Sequence, residues 1–248
     1  MNRPIPVLVC SCDKYSALWT VLELNYKKYL NADDREIYIL ANLKQAPKFF
    51  ETINVPDTTN WTKMLERALR EIPDDYVITT FDDLFLTSTL PIGLIEEAQS
   101  YLKTNDAAYI RLTASPKGTI FNNKQVSEIE VGAAYRTSLV WAIWEKMELL
   151  RIIQGEENPW EFERNSISRS GARKYLTYNE SKVPFVNLIV QGKINNSAEK
   201  TLSRLGFSML NINFPVMTSF EDIRWIVKKF IYKLKCEIKF QWKKFRQF

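Results

Sequence analysis

The chain has 248 residues, 46% of them apolar and 25% charged, with a formal net charge of +5. That length suits one large α/β domain or two small ones, and buries roughly 70–75% of the unfolded surface with no need of a disulfide or structural metal. Histidine is absent, which excludes Ser-His-Asp and Cys-His nucleophile systems and any His-ligated metal, and leaves acid–base chemistry to Asp, Glu, Lys, Tyr or Cys.

The start, MNRPIPVLVCSCDKY, holds too short an apolar run for a secretory signal, and Asp13 follows it closely. Val7 to Cys12 reads as a buried parallel strand. Cys10, Cys12 and Cys236 fit a reducing compartment. The first two, on one strand face, read as structural because nothing nearby completes a zinc set. Asp13 to Leu30 has helical spacing, and Glu36 to Leu40 is a second strand. Asn60 stands where a helix N-cap belongs, before a helix over 61–72 with Met64, Leu65, Ala68 and Leu69 inward. Tyr76 to Phe81 is a third strand and Pro91 to Lys103 a helix. Ala107 to Leu112 and Glu130 to Thr137 read as further strands, and Ser138 opens a long helix to about Gln154. Trp141 and Trp144 share one face of that helix and read as core packing. No stretch of about 18 uncharged residues exists to span a membrane.

Strands alternating with helices predict βαβ units around a mostly parallel sheet, with ligands outside the carboxyl ends of its strands. Neither the dinucleotide glycine pattern nor the P-loop is present. At the first strand end stand Ser11, Cys12, Asp13 and Lys14; at the third stand Asp82 and Asp83, inside YVITTFDDLFLTS (76–88). Two adjacent carboxylates repel unless a positive charge lies close. A divalent ion, Mn²⁺ or Mg²⁺, supplies it and can bridge to phosphate oxygens. The alternative is plainer: Asp82 caps a turn and Asp83 faces water.

In order and spacing, CDKY (12–15), NWTKMLERALREIPDDYVI (60–78), FDDLFL (81–86), YRTSLVWAIW (135–144), ENPWEFE (157–163) and VQGK (190–193) resemble bacterial GT-A type glycosyltransferases of capsule, lipopolysaccharide or O-antigen assembly. The resemblance covers most of 5–195. It implies the GT-A, Rossmann-like nucleotide-sugar-binding fold, with helices flanking the sheet, and a nucleotide-sugar donor, a UDP-sugar. FDDL stands where such enzymes keep an Asp-x-Asp metal motif, with the acids here adjacent. Asp82 and Asp83 are then the metal ligands, with Asp13 and Asn60 near the nucleoside.

GEENPWEFERNSISRSGARK (155–174) is the second acidic cluster. Glycosyl transfer needs a base for the acceptor hydroxyl, worth roughly 10²–10⁴-fold, and an adjacent aromatic ring gives a sugar a face to stack on. Inverting GT-A enzymes often place that base in a Trp-acid-x-acid segment, which PWEFE resembles. Glu163 or Glu161 is the expected base, with Glu157 behind them. Against this stands a helix first turn made acidic by the macrodipole. Arg164, Arg169, Arg173 and Lys174 read either as a loop that neutralises the departing diphosphate or as a solvated basic loop. Lys193 is a further phosphate candidate, and Arg111 an acceptor or phosphate contact.

Residues 1–217 are expected as the catalytic domain and 218–248 as a separate basic amphipathic helix. Ile223, Val227, Phe230, Leu234, Ile238, Trp242 and Phe245 draw one apolar stripe, amid nine basic and three acidic residues over 220–248. This composition fits a helix lying on an anionic membrane. The aromatic stripe and the lack of a nucleic-acid-binding signature speak against nucleic acid. The expectation is a cytoplasmic glycosyltransferase, peripheral on the inner membrane face, that extends a glycan or lipid-linked glycan acceptor. The alternatives are a sugar nucleotidyltransferase, whose glycine-rich N-terminal loop VCSCDKYSA lacks, and a non-catalytic membrane-surface adaptor.

Overall fold

The computed structural model describes residues 3–30, 35–118, 120–121, 124–208, 212–228 and 231. The chain forms two compact units, Met1–Phe185 and Val186–Phe248.

In the first unit, β1 (Val7–Cys10) is buried along its whole length, as its VLVC run requires. One 3-10 segment (Asp13–Leu18) leads into α1 (Trp19–Tyr29). Then come β2 (Ile37–Ala41), β3 (Glu51–Asn54), α2 (Trp61–Glu71), β4 (Tyr76–Phe81), β5 (Leu84–Leu86), α3 (Leu94–Thr104) and β6 (Ala107–Arg111). β7 (Ile120–Phe121), β8 (Val126–Glu128), β9 (Ala142–Glu145), α4 (Lys146–Ile152), α5 (Pro159–Arg169) and β10 (Lys174–Tyr178) follow. Asn60 caps α2 as its sequence predicts, its Oδ1 accepting from Lys63 N at 3.0 Å, a bond worth about 1 kcal/mol. Met64, Leu65, Ala68 and Leu69 all turn inward.

Nine strands make one sheet, in the order β3-β2-β1-β4-β9-β6-β10-β8-β7. β3, β2, β1 and β4 are mutually parallel. β9 opposes both β4 and β6, which aligns β6 with β4. β10 follows β6, β8 opposes β10, and β7 opposes β8. Only β8 and β9 therefore run against the common direction, and the mostly parallel sheet flanked by helices is present. Against it pack Leu65, Leu69, Leu149, Ile152 and Phe162, each fully buried side chain contributing roughly 1.5–3 kcal/mol.

The sequence reading of 130–154 needs correction. Glu130–Thr137 forms turns and bends rather than a strand, and the expected helix from Ser138 begins only at Lys146. β9 lies between β4 and β6 with its first three residues buried. A strand covered on both faces has no polar alternation, so its pattern passes for helix interior. Trp141, at φ +45°, sits in the left-handed region and breaks any helix there. The core reading of Trp141 and Trp144 stands, since both are buried. Cys12 also lies beyond the end of β1 rather than on it.

Arg136 is fully buried, and among the described residues no carboxylate is bonded to it. Its guanidinium donates to the carbonyl oxygens of Ile129, Ser170 and Arg173 and to Ser170 Oγ. It also lies 4.4 Å above the Tyr175 ring. It thereby ties the 129–137 segment to the C-terminal end of α5.

The second unit begins within β11 (Phe185–Asn187). β12 (Ile189–Val190) and β13 (Lys193–Ile194) form a hairpin whose turn residues, Gln191 and Gly192, both have positive φ, as tight hairpin turns demand. α6 (Asn196–Arg204) follows, capped by Asn195. Residues 219–228 are helical. Phe220, Ile223, Ile226 and Val227 are all exposed there. Of the expected stripe, Phe230, Leu234, Ile238, Trp242 and Phe245 lie outside the described residues, as does Cys236. No helix among the described residues is long and apolar enough to cross a membrane.

Candidate active site

Register brings the site together. Cys10 pairs with Phe81 in the parallel β1–β4 ladder, so Ser11 and Asp82 leave the sheet side by side at the carboxyl ends of their strands. Ala142, the first residue of β9, pairs with Thr79 of β4 and Arg111 of β6. The carboxyl ends of β1, β4 and β6 and the entry to β9 thus share one rim.

Asp82 and Asp83 form the turn between β4 and β5. Asp82 is buried and Asp83 half-buried. Trp19 Nε1 donates to Ser11 Oγ at 2.8 Å, and Ser11 Oγ donates to Asp82 Oδ2. Burial first, then the neighbouring Asp83 charge, pushes the Asp82 carboxyl well above the usual carboxylate range. Burial pushes Asp83 up to about 7. Among the described residues neither acid forms an ion pair with a Lys or Arg. A pair of carboxylates set together without a cation is a donor set suited to a hard divalent ion. No cluster of three or more His, Cys, Asp or Glu occurs among the described residues, so such an ion would draw its remaining ligands from water or a bound diphosphate.

The second part of the site is built on α5. Asn158 caps that helix, accepting from Trp160 N at 3.1 Å and Glu161 N at 3.0 Å, while Glu161 Oε2 accepts from Asn158 N at 3.0 Å. This reciprocal capping box commits Glu161 to the helix start. Glu157 is committed too, held by Arg169 in a two-pronged pair at 2.7 and 3.1 Å and by Asn165 Nδ2 at 2.8 Å. Although partial burial acts the other way, these bonds hold its carboxyl below the usual range.

Glu163 differs from both. Phe162 beside it is buried against Trp61, ring centroids 5.6 Å apart, which fixes the helix face and turns Glu163 toward residue 138. Its Oε1 accepts from Ser138 Oγ at 2.5 Å. Burial raises its carboxyl, opposed by the Ser138 hydrogen bond and the Arg111 charge. Arg111 is 8% exposed, with Nε on Thr113 Oγ1 at 2.9 Å and a buried Nη1 that has no hydrogen-bond partner among the described residues. Trp160, a turn earlier, is 72% exposed and presents an open ring.

The other candidates sit as follows. The Asp13 carboxylate accepts from the backbone N–H groups of Asn42, Leu43 and Lys44 at 2.9–3.2 Å, tying the 3-10 segment to the end of β2. Partial burial opposes those bonds, yet its carboxyl stays lowered. Asn60 is occupied by its cap. Arg173 pairs with Glu145 at 2.9 Å, and Lys174 Nζ donates to Asn105 O at 3.2 Å. Lys193, in the second unit, pairs with Glu221 at 2.5 Å. Ser138 and Trp19, both bonded to site acids or their partners, went unnoticed in the sequence. A lone serine and a helix-face tryptophan carry no pattern of their own.

No protein-family model matches the chain, and no curated protein does. Among solved structures, S. aureus TarS 1-349 in complex with UDP-GlcNAc aligns at TM-score 0.50 with 12% identity, over 90% of this chain and 70% of that one. Another TarS 1-349 structure aligns at 0.50 with 11% identity, over 73% of this chain. In that alignment the chain spans 59% of TarS 1-349. A mannosyltransferase from Pyrobaculum calidifontis, solved with GDP-Man and Mn²⁺, aligns at 0.49 with 13% identity, over 77% of this chain and 59% of its own. Sheet order, helix placement and the two TarS alignments at 0.50 agree on one architecture: the chain carries a GT-A fold.

Proposed function

We propose that this chain is a glycosyltransferase that moves a sugar from a nucleotide-sugar donor, a UDP-sugar, onto a glycan acceptor with inversion. The observation that carries the reading is the carboxylate pair, Asp82 and Asp83, which no Lys or Arg pairs with among the described residues, on the same sheet rim as the end of β6, whose Arg111 charge acts on the half-buried Glu163. TarS, which shares the fold, was solved with UDP-GlcNAc.

Asp82 and Asp83 would hold a divalent ion, Mn²⁺ or Mg²⁺, which when bound neutralises charge on the donor's diphosphate. Glu163 acts as the base: as the acceptor oxygen bonds to the anomeric carbon and the bond to the diphosphate breaks, the hydroxyl proton passes to its carboxylate. The Ser138 hydroxyl holds that carboxylate in place, and the Arg111 charge favours its ionised form. The exposed Trp160 ring gives the acceptor sugar a face to stack on. Glu161 and Glu157, already committed to the cap and to Arg169, support the helix.

The acceptor is a lipid-linked glycan of bacterial surface polysaccharide assembly, and residues 218–248 bring the enzyme to an anionic membrane on the cytoplasmic side. Supporting this are the exposed apolar residues of 219–228 together with Arg224 and Lys228, also exposed. Each base near such a surface contributes about 1 kcal/mol. The test is turnover with a panel of nucleotide sugars and Mn²⁺. Hydrolysis or transfer of a UDP-sugar that Asp83→Ala abolishes is the expected result. No binding or hydrolysis of any donor would instead leave a membrane-surface adaptor.

A further inference from the structure

Three tryptophans, Trp19, Trp141 and Trp144, are fully buried. Among the described residues the indole N–H groups of Trp141 and Trp144 have no partner, whereas Trp19 Nε1 is bonded to Ser11 Oγ at 2.8 Å. An indole N–H can only donate, so one lone pair of the Ser11 oxygen is taken. The hydroxyl proton then has two acceptors within reach: Asp82 Oδ2, and the Cys12 carbonyl at 3.5 Å. The second lies beyond the ordinary range for an O–H···O bond, so the proton goes to Asp82. The result is a one-way relay from α1, through the residue after β1, to the acid after β4. Ser11 is 7% exposed, Trp19 2% and Asp82 4%, so every residue of the relay is buried.

We infer that Ser11 and Trp19 are positioning residues for Asp82, fixing its rotamer and committing its Oδ2 as an acceptor so that the carboxylate is presented ready for a divalent cation. The inference rests on the metal-binding reading of Asp82 and Asp83 and deepens it. Partners of this kind around metal-ligating groups typically govern 10–100-fold of affinity. The relay also accounts for tryptophan at position 19: phenylalanine would fill the same core space without orienting the serine.

The test is Mn²⁺ affinity of the full chain with UDP present, read from the free-ion signal in electron paramagnetic resonance, alongside melting temperature. Ser11→Ala should weaken binding 10–100-fold. Ser11→Thr, which keeps the hydroxyl, should restore it. Trp19→Phe, which frees the hydroxyl to turn toward the Cys12 carbonyl, should weaken it several-fold. A role in packing alone would lower the melting temperature of Ser11→Ala while leaving its affinity unchanged. Affinity in Ser11→Ala within twofold of wild type, while Asp83→Asn abolishes binding, would overturn the inference and leave the metal reading intact. Failure of the wild type itself to bind Mn²⁺ would overturn the metal reading, and the relay's purpose with it.

Discussion

Replacing Asp83 with Asn removes one of two neighbouring charges, and in metal-free buffer the change should stabilise the protein. Burial takes the Asp83 carboxyl from its ordinary 3.8 to about 7 in the fold. Between those values the folded chain holds a proton that the unfolded chain has released, so stability falls as pH rises through the window. Below about pH 4 both states are protonated and no penalty exists; above about 7 the penalty is complete. At 1.36 kcal/mol per pH unit the full interval is worth about 4 kcal/mol. Asp83 is half-buried, and water screening brings this to about 2 kcal/mol. Asparagine cannot ionise, so Asp83→Asn should melt about 4–8 °C above wild type at pH 8 and together with it near pH 4. Circular dichroism melts across that range, in EDTA, give the difference, to which relief of the neighbouring Asp82, whose carboxyl the Asp83 charge also raises, adds in the same direction. Saturating Mn²⁺ and UDP should reverse the order by stabilising wild type alone. Equal melting at pH 8, or a gap that widens toward acid, would refute the argument.

Other consequences are open to direct assay. Glu163→Gln should lower kcat by roughly 10²–10⁴-fold with donor affinity unchanged in calorimetry. Glu161→Gln, which keeps an acceptor for the capping box, should stay within a few-fold of wild type, so steady-state kinetics on the two separates base from cap. Trp160→Ala should raise KM for the acceptor with little change in melting temperature, as expected of an exposed ring. Arg136→Leu leaves the carbonyls of Ile129, Ser170 and Arg173 without their donor and should cost about 3 kcal/mol in urea unfolding.

Much of the fold was legible because its elements announce themselves locally. The VLVC run of β1, the Asn60 cap with its inward Met64, Leu65, Ala68 and Leu69, and the Tyr76–Phe81 run before Asp82 each carry a pattern that tertiary packing does not override. Residues 130–154 misled, since a strand covered on both faces has the same apolar density as a helix interior. Only the neighbours supplied by β4 and β6 decide between the two. At the site, residue types pointed to acidic segments but did not rank the acids within them. PWEFE offers two glutamates on one helix turn. What separates them is that Glu161 reaches back to the Asn158 N–H while Glu163 meets Ser138, a partner 25 residues away in sequence. The Trp19–Ser11–Asp82 relay was hidden for the same reason, its last link spanning 71 residues and existing only through the Cys10–Phe81 register.

The central claim is that a cation sits between the twin acids and the diphosphate of an activated sugar. Crystals grown with UDP and Mn²⁺, with diffraction recorded at the manganese edge, test it most directly. The account predicts an anomalous peak in contact with a carboxylate oxygen of Asp82 or Asp83 and with the UDP phosphates, and the Glu163 carboxylate facing the open sugar site. A nucleotide bound elsewhere, with Asp82 and Asp83 both turned away from any metal peak, would contradict it.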